Sequence, residues 1–208
     1  KKELSIMTAL DLNFETVVVT YHPVTLENEK LKFQINNLLI ALNLLKCQVI
    51  FTFPNNDFGF SQIISYITKF ANKNKKKYKI IKNATADTYY ALLKECKIMI
   101  GNSSSGLVEA SYLKIPAINI GTRQDGKIKP KNVIDSDYDY KSIILAYKKA
   151  NTKKFRESIK KMISPYYKKN SAKIFAKKIL DLKIDDRLLR KKFINFKWKK
   201  KLKYLIQH

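Results

Sequence analysis

Three polar loops hold most of the side chains in this sequence that are able to do chemistry. The first, Tyr21-His22-Pro23-Val24-Thr25, contains one of only two histidines. The second runs Pro54-Asn55-Asn56-Asp57-Phe58-Gly59, and the third Gly101-Asn102-Ser103-Ser104-Ser105-Gly106. Three consecutive hydroxyls and a glycine ahead of a helix suit a diphosphate, because free N–H groups and the helix dipole point at whatever fills the loop. Ser103 and Ser104 can each add a hydroxyl donor, whereas capping the helix would occupy only one serine. Glu109, inside that helix among apolar neighbours, can accept the two hydroxyls of a ribose, or simply face solvent. His22, in a loop fixed by the following proline, can donate to a phosphate oxygen or transfer a proton near neutral pH. Arg123, in Gly121-Thr122-Arg123-Gln124-Asp125-Gly126, can close over an anion with its bidentate fork, and an ordinary surface ion pair would account for it equally well.

Other chemistries find no pattern. The sequence has no HExxH and no histidine cluster, so no metal is expected. It lacks GxGxxG and GxxxxGK[ST], which disfavours NAD and P-loop ATP chemistry, and no cofactor is expected. Cys47 and Cys96 lie in apolar stretches at a separation that fits neither a metal knuckle nor a redox pair, so they read as buried thiols in a reducing cytosol. There is no apolar run of membrane-spanning length and no secretion signal at the first residues, and the expected location is cytoplasmic.

These loops need a scaffold. Apolar runs at 16–20, 49–53, 78–81, 98–101, 115–120 and 132–135 read as short strands. Between them, Leu31, Ile35, Leu38, Leu42 and Leu45 share one helical face, and helices are expected at 61–72, at 87–96, from the serine loop to residue 113, and later at 140–150 and 153–163. Alternation of strand and helix at this spacing requires parallel strands and helices on both sheet faces, a Rossmann-like three-layer α/β domain. In such a sheet ligands bind beyond the carboxyl ends of the strands, where all three loops fall.

The chain carries 42 Lys and Arg against 17 Asp and Glu, a net charge of +25. The excess is mostly lysine and spreads through solvated helix faces, so charge alone names no partner. From residue 187 to 208 nine basic residues and no acidic one interleave with aromatic and aliphatic side chains. Such a tail packs against protein first, with an anionic membrane surface or nucleic acid as lesser alternatives.

Taken together these residues carry a resemblance. VTYHPVTLE (19–27), FPNNDFG (53–59), MIGNSSSGLVEA (99–110), IPAINIGTRQDGK (115–127) and NVIDS (132–136) resemble the C-terminal domain of the UDP-N-acetylglucosamine 2-epimerases, most closely the hydrolysing branch used in sialic and other nonulosonic acid synthesis. ISPYYKKNSAKIFAKKI (163–179) resembles the end of that domain, with Tyr167 where the family usually has a glycine, and RKKFINF (190–196) echoes its short basic-aromatic ending. The resemblance implies one half of a two-domain GT-B fold, with residues 1–180 as the nucleotide-sugar domain and 181–208 as a basic amphipathic tail.

Carried over residue by residue, it implies that His22 contacts the diphosphate beside the leaving group and is the catalytic residue of this half. Asn56 would lie near the nucleotide, the loop at Ala84 near the base, and Arg123 near the diphosphate. Ser103 and Ser104 would hold the phosphates, and Glu109 the ribose. The implied reaction removes the proton at C2 of UDP-N-acetylglucosamine, expels UDP, and adds water to the resulting 2-acetamidoglucal to release N-acetylmannosamine. The acidic residues that move the sugar's protons belong to the family's N-terminal Rossmann-like domain, which these 208 residues do not match. The expected partners are therefore a UDP-sugar and that domain, and a homo-oligomer stays open. The alternatives are a GT-B glycosyltransferase domain and a non-catalytic UDP-binding or interaction domain.

Overall fold

The computed structural model describes residues 2–190. They fall into two compact units, one ending at Tyr167 and the other starting at Lys168. In the first, α1 (Lys2–Thr8) precedes β1 (Thr16–Thr20), α2 (Leu31–Leu44), β2 (Gln48–Thr52), α3 (Phe60–Asn72), β3 (Tyr78–Ile81), α4 (Ala86–Glu95) and β4 (Ile98–Gly101). The short α5 (Glu109–Tyr112), β5 (Ala117–Ile120), β6 (Val133–Ser136), α6 (Tyr140–Asn151) and α7 (Lys153–Lys160) follow. The second unit contains α8 (Ser171–Leu180), none of whose residues is buried, and the single turn α9 (Asp186–Leu189). Residues 191–208, which include most of the basic tail, lie outside the described residues. No described helix is long and apolar enough to cross a membrane.

The six strands form one sheet in the order β3-β2-β1-β4-β5-β6, with every neighbouring pair parallel. Strand β1 lies at the centre and all five of its residues are buried. Val17 and Val19 join a core with Leu38, Leu42, Ile63, Ile67 and Ile143 from α2, α3 and α6. Val18 joins the opposite core with Leu4, Leu92, Leu93 and Ala110 from α1, α4 and α5. This two-sided burial explains why the central strand β1 reads as an unbroken β-branched run and β4 as a continuous apolar one, and each fully buried aliphatic side chain contributes about 1.5–3 kcal/mol relative to exposure.

The strand order reverses between β1 and β4, whose onward connections leave the centre on opposite sides. Gly101 ends β4 with φ +139°, and a Cβ there would collide with the Thr20 carbonyl of β1. The pairing of the end of β4 with β1 thus depends on a backbone approach only glycine permits. Helix starts are set locally: Thr85 accepts from the Thr88 N–H at 3.3 Å to begin α4, and Asp139 from the Ser142 N–H at 3.0 Å to begin α6.

Several boundaries differ from the sequence reading by a residue or more, among them α7, which ends at Lys160 instead of 163. Strand β2 stops at Thr52, ahead of Phe53 and Pro54, and β5 begins only after Pro116, which has no N–H for the ladder. The helix expected from the serine loop to residue 113 is two single turns, a 3-10 turn at Ser104–Gly106 and α5. Residues 102–116 must hold the loop, the turn and the return to β5, which leaves no room for a longer helix. A macrodipole of several turns is therefore not available to the serine loop.

Candidate functional site

The carboxyl ends of β1 to β5 surround a cleft of about 620 Å³. His22, Asn56, Ala84, Ser103, Ser104, Glu109 and Arg123 all line it, so every position singled out in the sequence meets in one place. Ile64, Ile81 and Tyr89 add an apolar and aromatic part to the wall, and Lys82 and Lys127 add cations.

His22 is buried at the floor. Its ring accepts through Nδ1 from the Asn55 N–H at 3.0 Å, which leaves the proton of the neutral imidazole on Nε2. Burial, reinforced by the Arg123 guanidinium and opposed by Asp57, lowers its pKa to about 4. Near neutral pH the ring is an uncharged donor held in one tautomer.

Asn102, with no exposed surface, ties the site together. Its Oδ1 accepts from the His22 N–H at 2.7 Å, and its Nδ2 donates to the His22 carbonyl at 2.8 Å. Its own carbonyl accepts from Arg123 Nη1 at 3.3 Å and from Gln124 Nε2 at 2.7 Å, and its N–H donates to the Thr20 carbonyl at 3.2 Å. One buried residue, through its side-chain amide to His22 and its main-chain carbonyl to Arg123 and Gln124, thereby couples the loops after β1, β4 and β5. The Arg123 guanidinium also faces Asp57 at 3.6 Å, which partly neutralises it.

The three serines of the loop divide their work. Ser103 Oγ accepts from the Ser105 N–H at 3.3 Å and caps the turn, while its own O–H stays able to donate. Ser105 is buried and accepts from the Tyr89 hydroxyl at 2.8 Å, an arrangement that fixes the loop to α4. Ser104 is exposed at the cleft wall. Capping and a free hydroxyl donor are therefore not exclusive here: the N–H groups of Ser105, Gly106, Leu107 and Val108 are bonded within the turn, while the hydroxyls of Ser103 and Ser104 line the cleft.

Glu109 opens α5 and is half-buried at the cleft edge. Glu27, in the VTYHPVTLE stretch, instead accepts from Gln34 Nε2 at 2.8 Å and from the Thr122 hydroxyl, and so braces the loop after β1 against the loop after β5. Sequence reasoning missed Asn102, Gln124 and Lys127 as site residues. The first two act on backbone groups and neighbours that only the fold supplies; Lys127 was one lysine among many.

The family described as UDP-N-acetylglucosamine 2-epimerase matches residues 1–180. Over 159 residues the chain is 36% identical to the GDP/UDP-N,N'-diacetylbacillosamine 2-epimerase (hydrolyzing) of Campylobacter jejuni, covering 76% of this chain and 41% of that protein. The UDP-GlcNAc 2-epimerase of Neisseria meningitidis, solved bound to UDP-GlcNAc, gives a TM-score of 0.69 at 16% identity over 87% of this chain and 49% of that one. The S. aureus MnaA-UDP co-structure gives 0.67 at 11% identity over 91% of this chain and 49% of that one. At such identity the structures show the fold: this domain resembles one domain of a two-domain GT-B-like enzyme. The chain spans less than half the length of each of these three proteins.

Proposed function

The chain belongs to the UDP-N-acetylglucosamine 2-epimerase family, and we propose that it is the UDP-binding half of a hydrolysing 2-epimerase that converts UDP-N-acetylglucosamine and water to N-acetylmannosamine and UDP. The observation that carries this reading is the convergence of His22, Ser103, Ser104, Glu109 and Arg123 on one cleft at the sheet's switch point. In this reading Ser103, Ser104 and Arg123 hold the diphosphate, Glu109 accepts the ribose hydroxyls, and Asn56 and the Ala84 loop flank the nucleotide. His22, neutral with its proton on Nε2, donates to a phosphate oxygen and stabilises the charge that grows there as the C1–O bond breaks. A ring with a pKa near 4 suits that donor role better than proton transfer in the free chain.

Proton removal at C2 and departure of UDP at C1 take place on opposite faces of the sugar ring, so catalytic groups must bracket it. The groups named above belong to one sheet rim and grip the UDP side. We assign the C2 chemistry to a second Rossmann-like domain, the expected partner of this one. The two buried, free thiols Cys47 and Cys96 support a cytosolic location.

Calorimetry of the chain with UDP and with NAD tests the site: UDP is preferred, weakly because one wall of the cleft belongs to the partner domain, and equal affinity for both removes the assignment. The chain alone releases no N-acetylmannosamine from UDP-N-acetylglucosamine; turnover near about 1 per second would place a base within these residues. A second reading replaces the sugar with UDP-N,N'-diacetylbacillosamine, favoured by the name of the Campylobacter relative. Assay of the two-domain assembly on both UDP-sugars separates the two, and product release without any acceptor excludes a glycosyltransferase.

A further inference from the structure

Lys127 is a cleft cation to which the reading above gives no task. It lines the wall shared by Ser103, Ser104 and Arg123. Arg123 has Asp57 beside it, and Lys129 has Asp125 and Asp135, but among the described residues no carboxylate lies within ion-pairing distance of Lys127. Its ammonium donates to Gln124 Oε1 at 2.8 Å. Gln124 itself has no exposed surface, and its Nε2 is anchored on the Asn102 carbonyl at 2.7 Å. A fully buried amide is thus committed to steering a solvent-facing lysine, although ordering a lysine side chain costs rotamer entropy that a merely solvated cation would keep.

The charge balance of the cleft gives that steering a purpose. His22 is uncharged near neutral pH, and Arg123 is partly neutralised by Asp57. A nucleoside monophosphate could be matched by these groups and the serine loop, but a second phosphate brings at least one further negative charge that they leave unbalanced. Lys82, the other lysine of the cleft, stands on the loop after β3, and among the described residues no hydrogen bond fixes its side chain. Lys127 spends one N–H on Gln124 and keeps two for oxygen acceptors.

We propose that Lys127 binds the second phosphate of a nucleoside diphosphate and selects diphosphate over monophosphate, with Gln124 as its positioning residue. This rests on the nucleotide reading of the cleft. The full chain is titrated calorimetrically with UDP and with UMP, comparing the unmodified protein with Lys127→Met, Lys127→Arg, Gln124→Leu and Lys82→Met. Loss of a charge-assisted contact weakens UDP by about tenfold or more in Lys127→Met, and leaves UMP within about threefold. Lys127→Arg keeps most of the UDP affinity, and Lys82→Met changes the UDP to UMP ratio little. Gln124→Leu weakens UDP alone, and adds no further loss when combined with Lys127→Met; a purely structural glutamine would add its effect on top. Equal losses for UDP and UMP in Lys127→Met, or none for UDP, overturn the inference while leaving the nucleotide reading in place. Failure of the unmodified chain to bind UDP overturns that reading, and this inference with it.

Discussion

Replacing Asn102 by alanine removes the two hydrogen bonds that its amide makes to the backbone of His22, at 2.7 and 2.8 Å. Both residues are buried, so the N–H and the carbonyl of His22 lose their partners where water has little access. An unsatisfied buried polar group costs about 1–3 kcal/mol, which makes the expected loss for the pair roughly 2–5 kcal/mol once partial relaxation is allowed. For a domain of this size that corresponds to a fall in melting temperature on the order of 10 °C. Asn102→Asp tests the direction of the bonds as well as their number. One carboxylate oxygen can still accept from the His22 N–H, but the other now faces the His22 carbonyl, acceptor against acceptor, and the charge is buried. Protonation restores a donor, so the carboxyl of this variant has a folded-state pKa above its unfolded value. Its stability relative to the unmodified chain is therefore greatest below the unfolded pKa, about 3.9, and is lost as pH rises through the raised folded value. Urea unfolding of the three proteins at several pH values, with the slopes checked for constancy, reads both effects. An Asn102→Ala variant within about 0.5 kcal/mol of the parent, or an Asn102→Asp variant whose deficit does not shrink on acidification, would refute the hub.

The lowered pKa of His22 makes a separate prediction about the parent chain. Its contribution to stability is fully present above the unfolded value of 6.5 and is lost as pH falls through the folded value of about 4, with a total on the order of 3 kcal/mol; His22→Gln should flatten that part of a stability-versus-pH profile, and an unchanged slope would count against the buried neutral ring. In an assembled two-domain enzyme, His22→Ala should lower kcat more than it raises KM if, as proposed, the contact strengthens only as UDP departs; an unchanged kcat with a raised KM would instead mark uniform binding. Gly101→Ala should destabilise the domain by about 3 kcal/mol or more, since strain at φ +139° and a collision with the Thr20 carbonyl act together, and a variant with a melting temperature close to the parent's would show that β1 and β4 can part at little cost.

How far the site could be read in advance depended on what kind of partner each residue has. The strands at the sheet centre were legible because burial on both faces favours apolar side chains at consecutive positions, and that shows as a short uninterrupted run, β-branched throughout in β1 and Ile-Met-Ile in β4. The loops were legible because each follows such a run and because hydroxyl, imidazole and guanidinium groups declare their chemistry by type. The helix after the serine loop was misjudged since its apolar residues answer to tertiary burial between β4 and β5, where the chain has length for single turns only. Nothing local distinguished Asn102 from Asn55 or Asn56, because its partners are backbone groups of a residue eighty positions earlier, brought near by β1 pairing with β4. The same pairing decides the chemistry of His22. A histidine before a proline reads as a titrating group near neutral pH, and it becomes a neutral donor only when the fold buries the ring and brings Arg123 beside it from the loop after β5, while the Asn55 N–H occupies Nδ1 and sets the tautomer. Residue types thus revealed which groups face the cleft, whereas their protonation and aim are properties of the switch point. It follows that a substitution at Gly101 or Asn102, neither of which need touch a nucleotide, should disturb anion binding by displacing His22 and Arg123 together, a coupling that independent losses at the two residues would disprove.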